Sequence, residues 1–133
     1  MAYHLTLLSP QLVFIQPDAE PTREDDRVYL AEVRRLLDEA SGPLYFLVDF
    51  RQYMTTNVST INKLAQLSTH DHFGGSVAFS SDRSRAVYTG LYASLSGVEG
   101  PRTLSDDPYT AIAQLEALAP GLTNGIEWEK VLG

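Results

Sequence analysis

The chain of 133 residues contains no cysteine, which excludes disulfides, thiolate nucleophiles and zinc sites built on sulfur. Basic residues are scarce as well. Ten Lys and Arg stand against seventeen Asp and Glu, a net charge of −7, and such a field repels phosphodiester backbones and anionic headgroups. Nucleic-acid binding and polybasic membrane anchoring are therefore not expected. The sequence also lacks any apolar run of about 18 residues that could span a bilayer. Its opening, "MAYHLTLLSPQLVF", has no basic segment and is interrupted by Ser9 and Pro10, unlike a signal peptide. A cytoplasmic location is the expectation. No G-x-S-x-G nucleophile elbow occurs, and "GVEGP" at 97–101 lacks the glycine pattern that cradles phosphates ahead of a helix. Neither an internal repeat nor a low-complexity segment is found.

What is present reads as one soluble domain, since 44% hydrophobic and 20% charged residues are ordinary for a globular protein. "YHLTLL" and "QLVFIQ", separated by Ser9 and Pro10, read as a β-hairpin. From Asp25 to about Ala40, the residues Val28, Tyr29, Val33, Leu36, Leu37 and Ala40 recur at helical spacing. Asp25 and Asp26 suit the start of that helix by capping and by meeting the positive end of its dipole. Ser41, Gly42 and Pro43 end it. "LYFLVDF" at 44–50 is apolar almost throughout, the pattern of a strand covered on both faces. A second helix is expected from about Asn57, with Val58, Ile61, Leu64 and Leu67 on one side. A strand follows at about 76–80, then a third helix over 81–97 carrying the stripe Val87, Tyr88, Leu91, Tyr92 and Leu95. A short strand to Leu104 leads to Asp106, Asp107 and Pro108, an Asp cap before a proline that opens a helix, with Ile112, Leu115 and Leu118 facing inward. The tail from 121 carries Ile126, Val131 and the only tryptophan, Trp128, which core packing would explain.

Hairpin and alternating elements give the order ββαβαβαβα, an α/β fold with a single mixed sheet of about five strands and helices packed on it. With "LYFLVDFR" at 44–51, "GGSVAFSSDR" at 74–83 and "RTLSDDPYTAIAQL" at 102–115, the chain resembles the SpoIIAA-like group of the sulfate transporter and anti-sigma factor antagonist (STAS) domains. It is similar too to SEC14-type lipid-binding folds. The resemblance covers roughly residues 11–118 and implies a domain over 1–120 followed by a C-terminal tail, 121–133. It also implies a switch loop after Asp49, where a serine at the start of the next helix is phosphorylated by a partner kinase. Here Asn57, Val58 and Ser59 take those places. Valine cannot accept a phosphoryl group, but Ser59 matches the second serine of the motif, and Thr55, Thr56 and Thr60 lie close by. A phosphate at a helix N-terminus would meet free N–H groups and the positive dipole end. The simpler reading makes Asn57 or Thr56 a helix cap worth about 1 kcal/mol.

Asp49 falls at the carboxyl end of its strand, where open α/β sheets place ligands; bracing the following loop is its structural alternative. Arg51 could pair with Asp49 or with an anion. Tyr88 and Tyr92 belong either to the core or to an exposed aromatic surface that would mark a partner or an apolar groove. His70, Asp71 and His72 have the chemistry of metal ligands, but alternate residues point apart in a strand and awkwardly in a turn, no third His lies near beyond His4, and a solvated helix exit rather than a metal site is expected. The sequence thus leads to a non-enzymatic interaction module without cofactor. Asp49, Arg51, Thr55, Thr56, Asn57, Ser59, Tyr88 and Tyr92 are its candidates for binding a protein partner, and Ser59 is the conceivable phosphoacceptor. A homodimer is expected, and binding of a small apolar or lipid-like molecule is the alternative function.

Overall fold

A computed structural model describes residues 2–53, 57–80, 102–105 and 107–132, with the backbone alone at 58, 80 and 102–105. The elements are β1 (Tyr3–Ser9), β2 (Leu12–Pro17), α1 (Arg23–Glu39), β3 (Leu44–Phe50), α2 (Val58–Leu67), β4 (Phe73–Ser80), β5 (Arg102–Ser105), α3 (Pro108–Leu118) and α4 (Trp128–Leu132). The third helix expected over 81–97, with Tyr88 and Tyr92, lies outside the described residues.

The strands form one mixed sheet in the order β1-β2-β3-β4-β5. β1 and β2 are the antiparallel hairpin, and every later neighbour is parallel. When successive parallel strands are laid down in one direction, right-handed crossovers deliver their helices to one face. α1 and α2 accordingly share a layer with Val13, Ile15, Phe46, Val48 and Phe50. The opposite face, lined by Leu12, Phe14, Leu47, Val77 and Phe79, is covered by α3 and the C-terminal segment. Alternation along a strand sends successive side chains to opposite faces. A strand roofed on both sides must therefore be apolar at every position, which is why 44–50 reads as an unbroken run.

Helix α1 begins two residues earlier than its apolar pattern suggests. Thr22 is the N-cap, its hydroxyl accepting from the Asp25 N–H while the Asp25 carboxylate accepts from the Thr22 N–H. This reciprocal box satisfies two N–H groups that the first turn leaves open. Asp25 is thus part of the cap, whereas Asp26, read from sequence as a second capping residue, is buried. Tyr29, Val33 and Leu37 form the buried stripe, and the Tyr29 ring stacks on Tyr3 with centroids 4.1 Å apart. Val28, assigned to the stripe, is instead 36% exposed, because it sits one residue, about 100°, away from Tyr29 on the helix. β4 likewise starts three residues before the expected 76, at Phe73.

Asp107 caps α3 through the Thr110 N–H, with Pro108 in the first turn. Ala111, Ile112 and Leu115 are buried, but Leu118, expected to face inward, is 37% exposed at the last turn. The chain then reverses through Gly121 and Gly125, whose φ values of 90° and 76° lie where side chains with a Cβ are strained. Glu116 holds the reversal. Its carboxylate accepts from the N–H groups of Gly121 and Thr123 and, at 2.6 Å, from the Thr123 hydroxyl. Leu122 and Leu132 are buried, and Ile126, Trp128 and Val131 pack against them. The tail is part of the core.

Leu37 and Leu115 are fully buried on opposite sides of the sheet. Leu37→Ala and Leu115→Ala should each lower the free energy of urea unfolding by about 2–5 kcal/mol, whereas Leu118→Ala should change it by no more than about 0.5 kcal/mol. Glu116 supplies a pH test. The Thr123 hydroxyl, then the Gly121 and Thr123 N–H groups, hold its carboxyl below the ordinary value of 4.5. A lowered folded value gives stability that is present in full above 4.5 and lost as pH falls through the folded value. The stability difference between the native chain and Glu116→Gln should therefore be complete at neutral pH and shrink in melts taken progressively below 4.5.

Candidate functional site

The carboxyl ends of β3 and β4 lie at the edge where parallel sheets present ligand-binding loops. Asp49, the penultimate residue of β3, is 4% exposed. Burying a carboxylate is costly unless donors surround it, and here they do. Asp49 accepts from Gln16 Nε2 at 3.1 Å, from the Arg51 N–H at 3.0 Å, and from Arg51 Nε and Nη2 at 3.0 and 2.9 Å. The same Nη2 donates to the Leu132 carbonyl at 2.8 Å. The guanidinium also lies 5.2 Å from the centroid of the Phe79 ring, a cation–π distance. Hydrogen bonding to Asp49 raises the Arg51 pKa and outweighs the opposing effect of burial. Through the Arg51 N–H, Asp49 braces the loop that follows it, the structural alternative to a ligand site, and the guanidinium ties that root on to the last helical turn, which no local signal announced.

Past Arg51 the chain leaves the sheet. Tyr53 is 39% exposed, and Thr55 and Thr56 lie outside the described residues. Asn57 is the N-cap of α2, its side-chain oxygen accepting from the Thr60 N–H at 3.0 Å. Between the two capping candidates, Asn57 is the one that caps. Ser59 is exposed in the first turn, while Thr60 next to it is buried. The hydroxyl-rich stretch therefore divides between a surface position and an interior one.

Thr60 leads to a polar centre that the sequence reading missed. Its hydroxyl donates at 2.9 Å to Asp26, which also accepts from the Tyr3 hydroxyl at 2.7 Å. A single buried carboxylate thus joins β1, α1 and α2. Spacing could have found it: Asp26 stands three residues before Tyr29 and seven before Val33, on the same helical stripe.

His70, Asp71 and His72 do not converge on an ion. The His72 N–H donates to His70 Nδ1 at 3.0 Å, so that nitrogen carries a lone pair and Nε2 carries the proton it donates to Asp38 at 2.8 Å. His72 Nδ1 donates to the Leu37 carbonyl at 2.8 Å. Both imidazoles fasten the end of α1 to the exit of α2. Among the described residues no group of three His, Asp or Glu side chains is placed to hold a metal, and no helix is long and apolar enough to cross a membrane. The apolar cavity under α1 and α2, lined by Ile15, Val33, Phe46, Leu64 and Phe73 among others, measures about 50 Å³, well under the roughly 300 Å³ of the smallest usual ligand pockets.

No family model, curated protein or solved structure matches the chain.

Arg51→Met removes the charge partner of Asp49 and the donor to Leu132 while keeping much of the side-chain volume. Losing one partner of a fully buried pair costs about 3–5 kcal/mol; with Arg51 37% exposed, the expected loss in urea unfolding is about 1–3 kcal/mol. Hydrogen exchange should accelerate first in α4. A variant whose 128–132 amides stay as protected as in the native chain would show that Arg51 does not hold this helix.

Proposed function

We propose that this chain is a non-enzymatic, STAS-like interaction module of the SpoIIAA type. It binds a protein partner through the loop after Asp49 and the first turn of α2, without the usual phosphoacceptor serine. The observation that supports this reading most directly is the exposure of Ser59 on the capped first turn of α2, beside a loop that also exposes Tyr53. Asp49 and Arg51, by contrast, are engaged with each other, and their role here is to fix the root of the loop. The Asp49–Arg51 pair and the Asn57 cap fix the residues on either side of the loop, and anchored flanks favour affinity. The net charge of −7 suits a basic surface on the partner and would accelerate encounter with it. A cytoplasmic location, from the lack of a signal-peptide pattern, and a two-fold homodimer, the commonest symmetric assembly, complete the proposed reading.

Photocrosslinking tests the reading. A benzophenone amino acid placed at position 53 or 59 of the protein in its own cells should yield the same discrete partner adduct from both sites. The same group at Leu7, which is 57% exposed on β1 and paired with Val13 near the start of β2, at the other end of the strands from the loop, should not yield it. No adduct at 53 and 59, or an identical adduct at 7, would overturn the proposed docking face.

A further inference from the structure

A second feature, on a different part of the surface, has the composition of a ligand site. Between α1 and α2 runs an open groove of about 490 Å³, a volume inside the range of about 300–1,000 Å³ typical of small-molecule sites. Leu30, Ala31 and Arg34 line it from α1; Lys63, Gln66 and Leu67 line it from α2. Arg34 is three and four residues from Ala31 and Leu30, and Gln66 and Leu67 are three and four from Lys63, so each set is adjacent on its helix surface. The apolar members supply a surface for a hydrocarbon body, and the polar members are two cations and an amide.

The cations stand out in a chain with seventeen acidic and ten basic residues. On the same helix Arg27 is paired with Glu24, and Arg35 with Glu32 and Glu39. Asp38 accepts a hydrogen bond from the neutral His70, which also lines the groove, and so keeps its negative charge at that end. Arg34 and Lys63, one from each helix, have no ion-pair partner among the described residues. Both line the same groove, so their positive potentials favour an anion there. A guanidinium fork presents parallel N–H groups matched to carboxylate or phosphate oxygens, and an ammonium adds a point charge.

We propose that the cleft between α1 and α2 binds a small organic anion, its phosphate or carboxylate held by Arg34 and Lys63 and its apolar body resting on Leu30, Ala31 and Leu67. The site is separate from the docking loop, so either can fail without the other.

The test is a titration of the full chain, labelled with ¹⁵N, with phenyl phosphate, followed by amide shifts. Saturable shifts clustered at 30–34 and 63–70 are expected, with weaker binding of inorganic phosphate, which lacks the apolar body. Both cationic side chains are exposed, so Arg34→Gln combined with Lys63→Gln should leave the rest of the spectrum in place. The double variant should weaken phenyl phosphate binding by about tenfold or more, as expected for the loss of charge-assisted hydrogen bonds. Absence of saturable shifts, shifts scattered over the surface, or equal affinity in the double variant would each overturn the proposal. Equal affinity for inorganic phosphate would remove the apolar body from it. A response only to vesicles of phosphatidylcholine and phosphatidylglycerol would replace the small molecule with a lipid surface.

Discussion

The two-sided burial of β3 is the constraint on which the rest of the structure depends. Leu44, Phe46, Val48 and Phe50 face one layer of helices, while Tyr45 and Leu47 face the other. Because the parallel strands follow one another in space, right-handed crossovers can supply only the first of those layers. The second has to come from the end of the chain. α3, the reversal held by Glu116 and the short α4 are thus a condition for burying Leu47, Val77 and Phe79. A helix of five residues has little stability of its own. It persists because Leu132 is buried and its carbonyl receives the Arg51 guanidinium.

Two buried carboxylates divide the structural work. Asp26 accepts from hydroxyls of β1 and α2 and gathers the first helical layer; Asp49 accepts from β2 and Arg51 and gathers the second. Each is compensated by directed donors, without which burial would cost several kcal/mol. Such bonds are directional where apolar contact is not. They therefore fix how each layer sits on the sheet as well as whether it stays there.

The sequence made the strands and helix starts legible wherever one local rule operated. β3 coincides with the apolar run 44–50, and Asn57 and Asp107–Pro108 open their helices as capping chemistry requires. Legibility failed where tertiary contact overrode a local preference. Asp26 resembled a cap because acidic residues belong at helix starts, yet Thr22 had already taken that role and the apolar stripe carried Asp26 inward. Leu118 matched the helical period, but it falls in the final turn and is left partly outside. At the candidate site, the pairing of Asp49 with Arg51 was open to sequence reasoning because the two residues are neighbours. The Leu132 carbonyl, 81 positions away, had no local signal, and neither did the cleft that joins Arg34 to Lys63.

The placement of charge connects these observations to binding. A polar side chain used for internal bracing is already satisfied, and recruiting it to a partner would first cost its existing bonds. In the proposed docking, the part of Asp49 and Arg51 is therefore to hold the root of the loop that follows them. Side chains that can meet a partner at little cost are those already solvated: Ser59 and Tyr53 at the sheet edge, Arg34 and Lys63 between the helices. These two sets differ in character. The first is an aromatic ring on the loop after β3 and a hydroxyl on the capped first turn of α2, the kind of exposed side chains that the proposed protein docking would use. The second is a pair of cations lining one groove, and in a chain of net charge −7 the anion proposed for it would be a compact one, because an extended acidic surface would also meet the surrounding carboxylates.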